Sequence, residues 1–406
     1  MALSRRTFAA LAGTALFAPL SGRRARAEGT PIRIGVLTDM SSAYSDISGR
    51  GSVAAAQLAI EDFGGQALGM PVELISADHQ NKPDVGAAIA REWYDRGGVD
   101  LITDLTGSAI AMAVQVLAQE RNKVAITTGS VSTDISGKSC SPNGFQWAED
   151  SYSLTRALGV DAIASGASSW YLLSPDAASG KAYEKEIGLF LSEQNVPLLG
   201  TSRFPVGSSD FSAQLLAARA SGAKAVVSPS GGMDTINLVK QASEFGIIQG
   251  GQKLVLFGFF PTDAHALGVQ VAQGIRYTTT FYWDLNDQTR SFQSRFISVV
   301  KRTPTWIQAG TYSAVTHYLR AVQQAGARDG TLVLQAMRAL PVQDATTPHG
   351  TVRPDGRVMR DVYAVVVKSP GECRGEWDFE GLVRVIPAEQ SFRPLAQSEC
   401  PLVRKI

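Results

Sequence analysis

The sequence predicts an α/β protein built from two doubly wound parallel-sheet lobes with a hinge between them. Two observations predict this fold class. Short runs of apolar or β-branched residues alternate with longer segments of helical period, which is the pattern of repeated strand–helix units. The same pattern starts twice in a chain of 406 residues, which is longer than one hydrophobic core usually supports.

The first α/β unit begins at Ile32. Its strand candidates show little polar alternation, as expected when helices cover both faces of a parallel sheet. These strands are predicted at 32–37, 72–76, 101–103 and 124–127. Helices are predicted between them at 51–63, 83–96 and 108–121.

The second unit follows a break at about 140–150. Its strands are predicted at 170–173, 198–203, 225–228, 254–257 and 275–279, with helices starting at Lys181, Asp210 and Asp234. Helical pattern then returns at 288–301, 307–324 and 331–340, a last strand is predicted at 362–367, and an irregular tail follows. There is no repeat of fixed period and no low-complexity linker, so we expect short crossings between the lobes.

The N-terminus has the organisation of an export signal. Arg5 and Arg6 precede an apolar run at 7–20, and a small-residue motif ends at Ala27. The paired arginines indicate the twin-arginine route, and an ordinary secretory signal is the alternative. We expect residues 1–27 to be removed and the mature protein to be released into the periplasm. No cysteine lies near the cleavage point, so we expect no lipid anchor.

The charge of the chain gives no sign of a nucleic-acid or membrane partner. The 38 Lys and Arg residues face 37 Asp and Glu residues, and removal of 1–27 takes away five arginines and no acid. The mature chain therefore carries a net charge of about −4, without a basic cluster for nucleic acid or anionic lipid. No later stretch is apolar enough to insert directly into a membrane.

Three cysteines allow one disulfide in an oxidising compartment. They are Cys140, Cys373 and Cys400, and three pairings are open. We expect Cys373 to pair with Cys400, because both lie in a tail with little apolar periodicity, and a loop of that length would stabilise the fold by on the order of 3 kcal/mol. Cys140 would then be free and buried.

The sequence lacks the groups that an enzyme needs. The four histidines stand alone, and Cys-x-x-Cys is absent, so we expect no metal site. There is no Gly-x-Ser-x-Gly motif and no Gly-x-Gly-x-x-Gly after the first strand. The segment 132–139 ends like a phosphate-binding loop but lacks the first glycine. We therefore expect no catalytic residue and no cofactor.

Loops rich in Ser, Thr and Gly follow several predicted strands, at 41–42, 106–108 and 127–130. Ligands of open parallel sheets bind at the carboxyl ends of the strands. Hydroxyl groups and unpaired amides at a helix N-terminus suit a carboxylate. Ordinary N-capping is the alternative for any one of these loops. Several loops at the same sheet edge favour a carboxylate site.

The second unit has a similar pair of loops, at 228–232 and 258–263. Phe259 and Phe260 stand beside polar residues there, where an aromatic wall would suit a ligand. Core packing is the alternative for at least one of them, because strand residues alternate between two faces.

Five segments resemble the type I periplasmic binding proteins of the branched-chain amino acid, amide and aromatic acid group. They are IGVLTDMS at 34–41, the run 51–63, ADHQNK at 77–82, ITTGS at 126–130 and QAGTYSA at 308–314. Their order and spacing extend the resemblance from Ile32 to about Val367.

The resemblance implies the type I periplasmic binding protein fold, with three crossings between lobes that each use discontinuous chain. The N-terminal lobe would hold 28–150 and 279–343, and the C-terminal lobe 151–278 and 344–406. A small organic acid would be trapped between them, and an ABC permease with its ATPase would be the partners. We expect a monomer that is not an enzyme.

The resemblance also implies that Ser108 and the loop at 128–130 hold a carboxylate. Amino acid binders of the family hold the ligand ammonium with acidic side chains, but Tyr152 and Phe260 stand at the corresponding positions. Burial of an ammonium without a partner costs several kcal/mol. The expected ligand is therefore an aromatic or hydroxyaromatic carboxylic acid. The expected site residues are Tyr44, Gly107, Ser108, Thr128, Gly129, Ser130, Trp147, Tyr152, Gly231, Gly232, Phe260 and Asp263.

Two alternatives stay open. A shift of one or two residues in the alignment would bring Asp150 or Asp263 into the site and favour a branched-chain or other amino acid. A periplasmic sensor that signals to a membrane receptor is the second alternative, since no sequence feature separates it from an importer subunit.

Overall fold

The computed structural model describes residues 30–147 and 149–403. The predicted export signal at 1–27 lies outside the described residues. The model confirms the predicted α/β class: two sheets with parallel strands form the centres of two lobes, and helices cover them.

The first lobe is centred on a six-stranded sheet of order β2-β3-β1-β4-β5-β6. Its elements are β1 (Ile32–Thr38), α1 (Gly49–Asp62), β2 (Gln66–Ala67), β3 (Met70–Asp78), α2 (Pro83–Asp95), β4 (Leu101–Asp104), α3 (Ser108–Glu120), β5 (Val124–Thr127) and β6 (Gly144–Gln146). All neighbours pair in parallel except β2 with β3. Ile34 of β1 lies between Leu74 and Leu101 and is fully buried, as expected for a strand covered on both faces.

The second lobe is centred on a four-stranded parallel sheet of order β10-β9-β7-β8. Its elements are α4 (Ser151–Ala164), β7 (Trp170–Pro175), α5 (Ala178–Glu193), β8 (Leu198–Phe204), α6 (Ser212–Ala220), β9 (Ala225–Ser228), α7 (Met233–Glu244), β10 (Lys253–Leu256), α8 (Pro261–Leu267), α9 (Val269–Ala272) and β11 (Arg276–Thr279). We did not predict α4. Asp150 starts it by accepting a hydrogen bond from the Ser153 amide at 2.8 Å.

The chain then returns to the first lobe. It forms α10 (Asp287–Val300), α11 (Trp306–Ala325), α12 (Gly330–Ala339), β12 (Thr351–Val352) and β13 (Val358–Met359). Helix α11 packs against α1, and most of its residues are buried. Val352 and Val358 belong to the core of the first lobe, whereas Met359 packs against the cluster that includes Val362 and Ile386; we expected the whole segment 344–361 in the C-terminal lobe.

The last part of the chain crosses to the second lobe. It forms β14 (Val362–Val367), β15 (Glu380–Ile386) and α13 (Ala388–Ser391). Strands β11, β14 and β15 make an antiparallel three-stranded sheet, whose inner face joins the core of the second lobe. The chain therefore passes between the lobes three times: after β6, after β11 and between β13 and β14.

The predicted disulfide is wrong. Cys140 pairs with Cys400 across a Cα separation of 5.6 Å, and Cys373 is the free thiol. The tail that we expected to be irregular contains β15, which separates the two tail cysteines. Cys373 stays beside the second-lobe core, whereas the chain after α13 returns to the loop that holds Cys140.

Candidate ligand-binding cleft

A cavity lies between the two lobes, at the carboxyl ends of their strands. This is the position where open parallel sheets bind ligands. The first lobe lines it with Tyr44, Ile47, Thr106, Gly107, Ser108, Gly129, Val131, Trp306 and Ile307. The second lobe lines it with Leu154, Ser179, Tyr183, Pro229, Ser230, Gly231, Phe257, Gly258 and Phe260.

The loop between β4 and α3 forms the polar side of the cavity. Gly107 has a φ of +102°, which favours glycine, and it lets the chain turn directly into α3. Ser108 is the first residue of the helix, and its Oγ accepts a hydrogen bond from the Ser132 amide at 3.2 Å. The first amides of a helix have no intrahelical acceptor, and the helix dipole attracts an anion there. This edge of the cavity therefore suits a carboxylate.

The loop after β5 contributes less than we expected. Gly129 lines the cavity, but Thr128 and Ser130 do not. The Thr128 hydroxyl is 2.8 Å from the Thr311 hydroxyl, and the Ser130 hydroxyl donates to the Leu105 carbonyl at 2.6 Å. Both hydroxyl groups already have partners inside the first lobe.

Aromatic rings form the apolar side of the cavity. Phe260 of the second lobe stacks on Trp306 of the first, with ring centroids 5.6 Å apart. Tyr183 stacks on Phe257 within the second lobe at 6.0 Å. Phe259 points away from the cavity and packs on Tyr277 at 5.3 Å, so one of the two adjacent phenylalanines is a core residue, as the alternation of faces predicts.

Besides Thr128 and Ser130, four expected site residues do not line the cavity: Trp147, Tyr152, Gly232 and Asp263. Trp147 lies in the core of the first lobe, where its Nε1 donates to the Ser313 hydroxyl at 3.1 Å. Tyr152 lies between the guanidinium groups of Arg156 and Arg393, at 4.2 and 4.6 Å from its ring centroid.

Asp263 caps α8: its Oδ2 accepts a hydrogen bond from the Phe260 amide at 3.0 Å, and the side chain is buried. Gly232 lies next to the lining residue Gly231 and contacts the other lobe. A Cβ on Gly232 would lie 2.5 Å from the Ala43 carbonyl oxygen, and the Met233 amide donates to that same oxygen at 3.3 Å. The lobes therefore touch at one rim of the cavity.

Sequence reasoning missed several lining residues, above all Tyr183, Ser179 and the pair Trp306-Ile307. They lie in the first turns of α5 and α11. Ser179 follows strand β7 in the same way that Ser108 follows β4, so the strand-end rule could have found it. The other three carry no such signal.

None of the described residues that line the cavity has an ionic side chain: Asp, Glu, Lys, Arg and His are all absent from this set. Asp150 is buried in an ion pair with Arg357 at 2.6 Å, outside the lining. Asp104, below Thr106, is also buried, and burial raises the pKa of its carboxyl. No group of the described residues is arranged to hold a metal ion.

A larger groove leads from solvent to the cavity. It encloses about 500 Å³ against about 60 Å³ for the cavity, so the cavity is the narrow inner end of the cleft. The two share Tyr44, Gly107, Ser108 and Ser179. Gln80, Asn81, the Asp176 carboxylate and the turn at Pro205 line the outer end with polar, ionic and backbone groups.

This two-lobed architecture with an interlobe cleft matches a known family. Residues 31–372 match the periplasmic binding protein family in sequence. The chain belongs to that family.

Solved structures support the assignment. A periplasmic binding protein from Burkholderia mallei is 38% identical, with a TM-score of 0.89, over 92% of this chain and 99% of the other. A branched chain amino acid ABC transporter periplasmic ligand-binding protein from Burkholderia xenovorans LB400 is 43% identical, with a TM-score of 0.81, over 92% and 100%. No curated protein matches the chain.

The fold is also shared by a solute-binding protein of an ABC transporter from Rhodopseudomonas palustris BisB5, in complex with 3,4-dihydroxybenzoic acid. It is 17% identical over 88% of this chain and 98% of the other, with a TM-score of 0.80. Among the residues that the structure describes, no helix of this periplasmic binding protein has the length and hydropathy to cross a bilayer.

Proposed function

We propose that this periplasmic binding protein is the substrate-binding component of an ABC importer and captures a small aromatic carboxylate between its lobes. The single observation that carries the proposal is the lining of the cavity, which combines rings from both lobes with a helix N-terminus and has no ionic side chain. The rings of Phe260 and Tyr183 would contact the ring of the ligand. Ser108 and the first amides of α3 would hold its carboxylate.

The same lining disfavours a ligand with an ammonium group. A buried ammonium needs a partner, and its absence would reduce affinity by orders of magnitude. Neither Asp150 nor Asp263, the two acids that would restore an amino acid site, lines the cavity. Similar proteins of the family include 4-hydroxybenzoate and benzoate complexes, at 18% and 16% identity, which share the fold.

A branched-chain amino acid is the second candidate. One observation favours it: the relative from B. xenovorans, 43% identical, is described as a branched chain amino acid transporter component. The amino acid would place its ammonium against backbone carbonyl oxygens, such as those of the loop at 228–231, or toward the Asp176 carboxylate of the adjoining groove.

Thermal unfolding in the presence of ligands separates the two candidates. Benzoate or 4-hydroxybenzoate at 100 times its Kd should raise the unfolding free energy by about 2.7 kcal/mol, and leucine or valine should not. Stabilisation by leucine with no effect of aromatic acids would refute the aromatic ligand.

Substitution of Ser108 tests the position of the carboxylate. Ser108→Ala should weaken binding of the stabilising acid by at least about tenfold, since a hydrogen bond to a charged group contributes roughly 1.5–3 kcal/mol. Titration calorimetry measures the change. Ser151→Ala is a matched control, because Ser151 is also the buried first residue of a helix, α4, but does not line the cavity. If the two variants bind the stabilising acid with equal affinity, Ser108 does not hold its carboxylate.

The import role also includes expectations about compartment and partners. We propose that residues 1–27 direct export, that the mature monomer is free in the periplasm, and that it delivers ligand to a membrane permease driven by an ATPase. The Cys140–Cys400 disulfide suits an oxidising compartment.

A strain that lacks the gene for this protein separates an importer subunit from a sensor. Loss of uptake of labelled benzoate supports import, whereas normal uptake with a lost transcriptional response supports a sensor.

A further inference from the structure

The three crossings between the lobes meet around one buried carboxyl group, that of Glu149. Glu149 belongs to the first crossing, and its Oε2 accepts a hydrogen bond from the Thr278 hydroxyl of β11, at the second crossing, at 3.0 Å. Arg360 lies in the third crossing and donates to the Trp147 carbonyl of the first at 2.6 Å. The hinge is therefore a polar cluster and not an apolar joint.

This cluster is incompletely hydrogen-bonded. Glu149 is 0% exposed and Arg360 3% exposed. Among the described residues, Oε1 of Glu149 accepts no hydrogen bond and Nε of Arg360 donates none. The neighbouring acid and base, Asp150 and Arg357, form an ion pair at 2.6 Å. Glu149 is thus an acid held away from water without an ion pair among these residues.

The charged and titratable groups that face Glu149 come from every element packed around it. Arg360 and Arg357 approach from the third crossing, and their positive charges favour the ionised carboxylate of Glu149. The negative charge of Asp150 disfavours that ionised form. Tyr183 of α5 is a residue of the cavity wall. Burial raises the pKa of its hydroxyl, and the charge of Glu149 raises it further. Burial outweighs the hydrogen bond from Thr278 and the arginines, and it raises the pKa of Glu149 to about 7.

We propose that Glu149 makes closure of the cleft dependent on pH, its protonated form favouring the closed arrangement and its ionised form the open one. On this proposal, opening would rotate the three crossings against one another and admit water to the carboxyl group, which would stabilise its charge. This proposal concerns regulation of the cleft and therefore rests on the proposed capture of a ligand between the lobes.

The sign of the pH dependence follows from linkage. The closed form holds the proton up to about pH 7, whereas the solvated carboxyl of the open form loses it nearer the ordinary value. Closure is fully favoured below the pKa of the open form. It weakens as pH rises through the interval between the two pKa values, and it stays weak above about pH 7.

Small-angle X-ray scattering of the ligand-free protein tests the proposal without reference to any ligand. The radius of gyration should be larger at pH 8.5 than at pH 5.5, and Glu149→Gln should abolish the difference and remain compact. Glu380→Gln is the matched control. Glu380 is also buried, accepts one hydrogen bond from the Tyr277 hydroxyl at 2.7 Å and has a pKa raised to about 7 by burial, but it lies within the second lobe.

The Glu380 variant should retain the pH dependence of the wild type. A pH-dependent radius in Glu149→Gln, or no dependence in the wild type, would overturn the proposal. If Glu149→Gln does not fold, Thr278→Val serves instead: loss of its hydrogen bond should move the midpoint of opening to higher pH, and an unchanged midpoint counts against the proposal.

Binding of benzoate gives a second measurement, because benzoate is ionised throughout this pH range. Its Kd should rise by about tenfold from pH 5.5 to 8.5 in the wild type, within the usual range of coupling between sites, and should be constant in Glu149→Gln. Absence of benzoate binding at any pH contradicts the proposed ligand class, while the scattering result still decides the role of Glu149.

Discussion

At the scale of single residues, Gly129 shows how tightly the cavity wall is packed. A Cβ at this position would lie 2.3 Å from the Thr106 hydroxyl, which donates to the buried carboxylate of Asp104 at 2.5 Å. Gly129→Ala must push Thr106 off Asp104, so the variant should lose about 1–3 kcal/mol of unfolding free energy. It should also bind ligand more weakly, because Thr106 lines the cavity.

Urea unfolding measures the loss, with Gly188→Ala as the control. Gly188 lies in α5, and a Cβ there meets nothing within 4 Å, so that variant should be about 0.5–1 kcal/mol more stable than the wild type. A Gly129 variant as stable as wild type would show that Thr106 can move without cost.

The cavity-lining residues that could be predicted from the sequence are those whose place follows from strand ends. Gly107, Ser108 and Gly231 were found because the carboxyl ends of parallel strands meet at one edge. Tyr183 and Trp306 were missed because they lie on helices, and which face of a helix meets the other lobe depends on packing that one sequence does not reveal. Tyr152 was expected to line the cavity for the same reason. It lies in α4, the helix that Asp150 caps, and its ring contacts Arg393 outside the lining.

At the scale of elements, the disulfide holds the C-terminal tail against both lobes. Cys400 is joined to Cys140 of the first lobe, while the adjacent Glu399 contacts Lys185 of α5 at 2.8 Å. The double variant Cys140→Ser/Cys400→Ser should lose on the order of 5 kcal/mol of unfolding free energy, since the bond closes a loop of 260 residues.

Urea unfolding without reductant measures this loss, and Cys373→Ser should change stability little because its thiol bonds only to the Ser369 carbonyl among the described residues. Iodoacetamide should label Cys373 alone in the native wild-type protein. Labelling of Cys140 in place of Cys373 would restore the pairing that the sequence first suggested.

The elements predicted well are those with one clear pattern. The strands β1, β4 and β5 are apolar because both faces are buried, and they were found within a residue or two. Helix α4 was missed because its buried positions include Ser, Thr and Tyr without apolar periodicity. Strand β15 was missed because it is an edge strand with four exposed residues in the middle, so no face alternates.

At the scale of the whole molecule, each lobe has its own hydrophobic core, and the crossings hold a cluster of polar groups. Such lobes can move as rigid bodies about the three crossings. Contacts that close the cleft include Phe260 on Trp306, the Met233 amide on the Ala43 carbonyl, and the Thr133 hydroxyl, which donates to Oε1 of Glu186 at 3.3 Å.

Gly232→Ala should block that closure. Its Cβ would lie 2.5 Å from the Ala43 carbonyl oxygen of the opposite lobe, and a backbone contact cannot move aside as a side chain can. Ligand affinity should fall by at least about tenfold, because a ligand that needs the closed state binds in proportion to its population. Scattering with saturating ligand should show the radius of gyration of the open form.

Gly246→Ala is the control, since its φ of +65° is close to the +60° of Gly232 but a Cβ there meets nothing within 4 Å. With φ +60° and ψ −132°, Gly232 lies in a region almost confined to glycine, so Gly232→Ala should also lose more unfolding free energy than Gly246→Ala, and binding is compared under conditions where both variants are folded. Equal affinity in the two would mean that the ligand binds without the approach of Gly232 to Ala43.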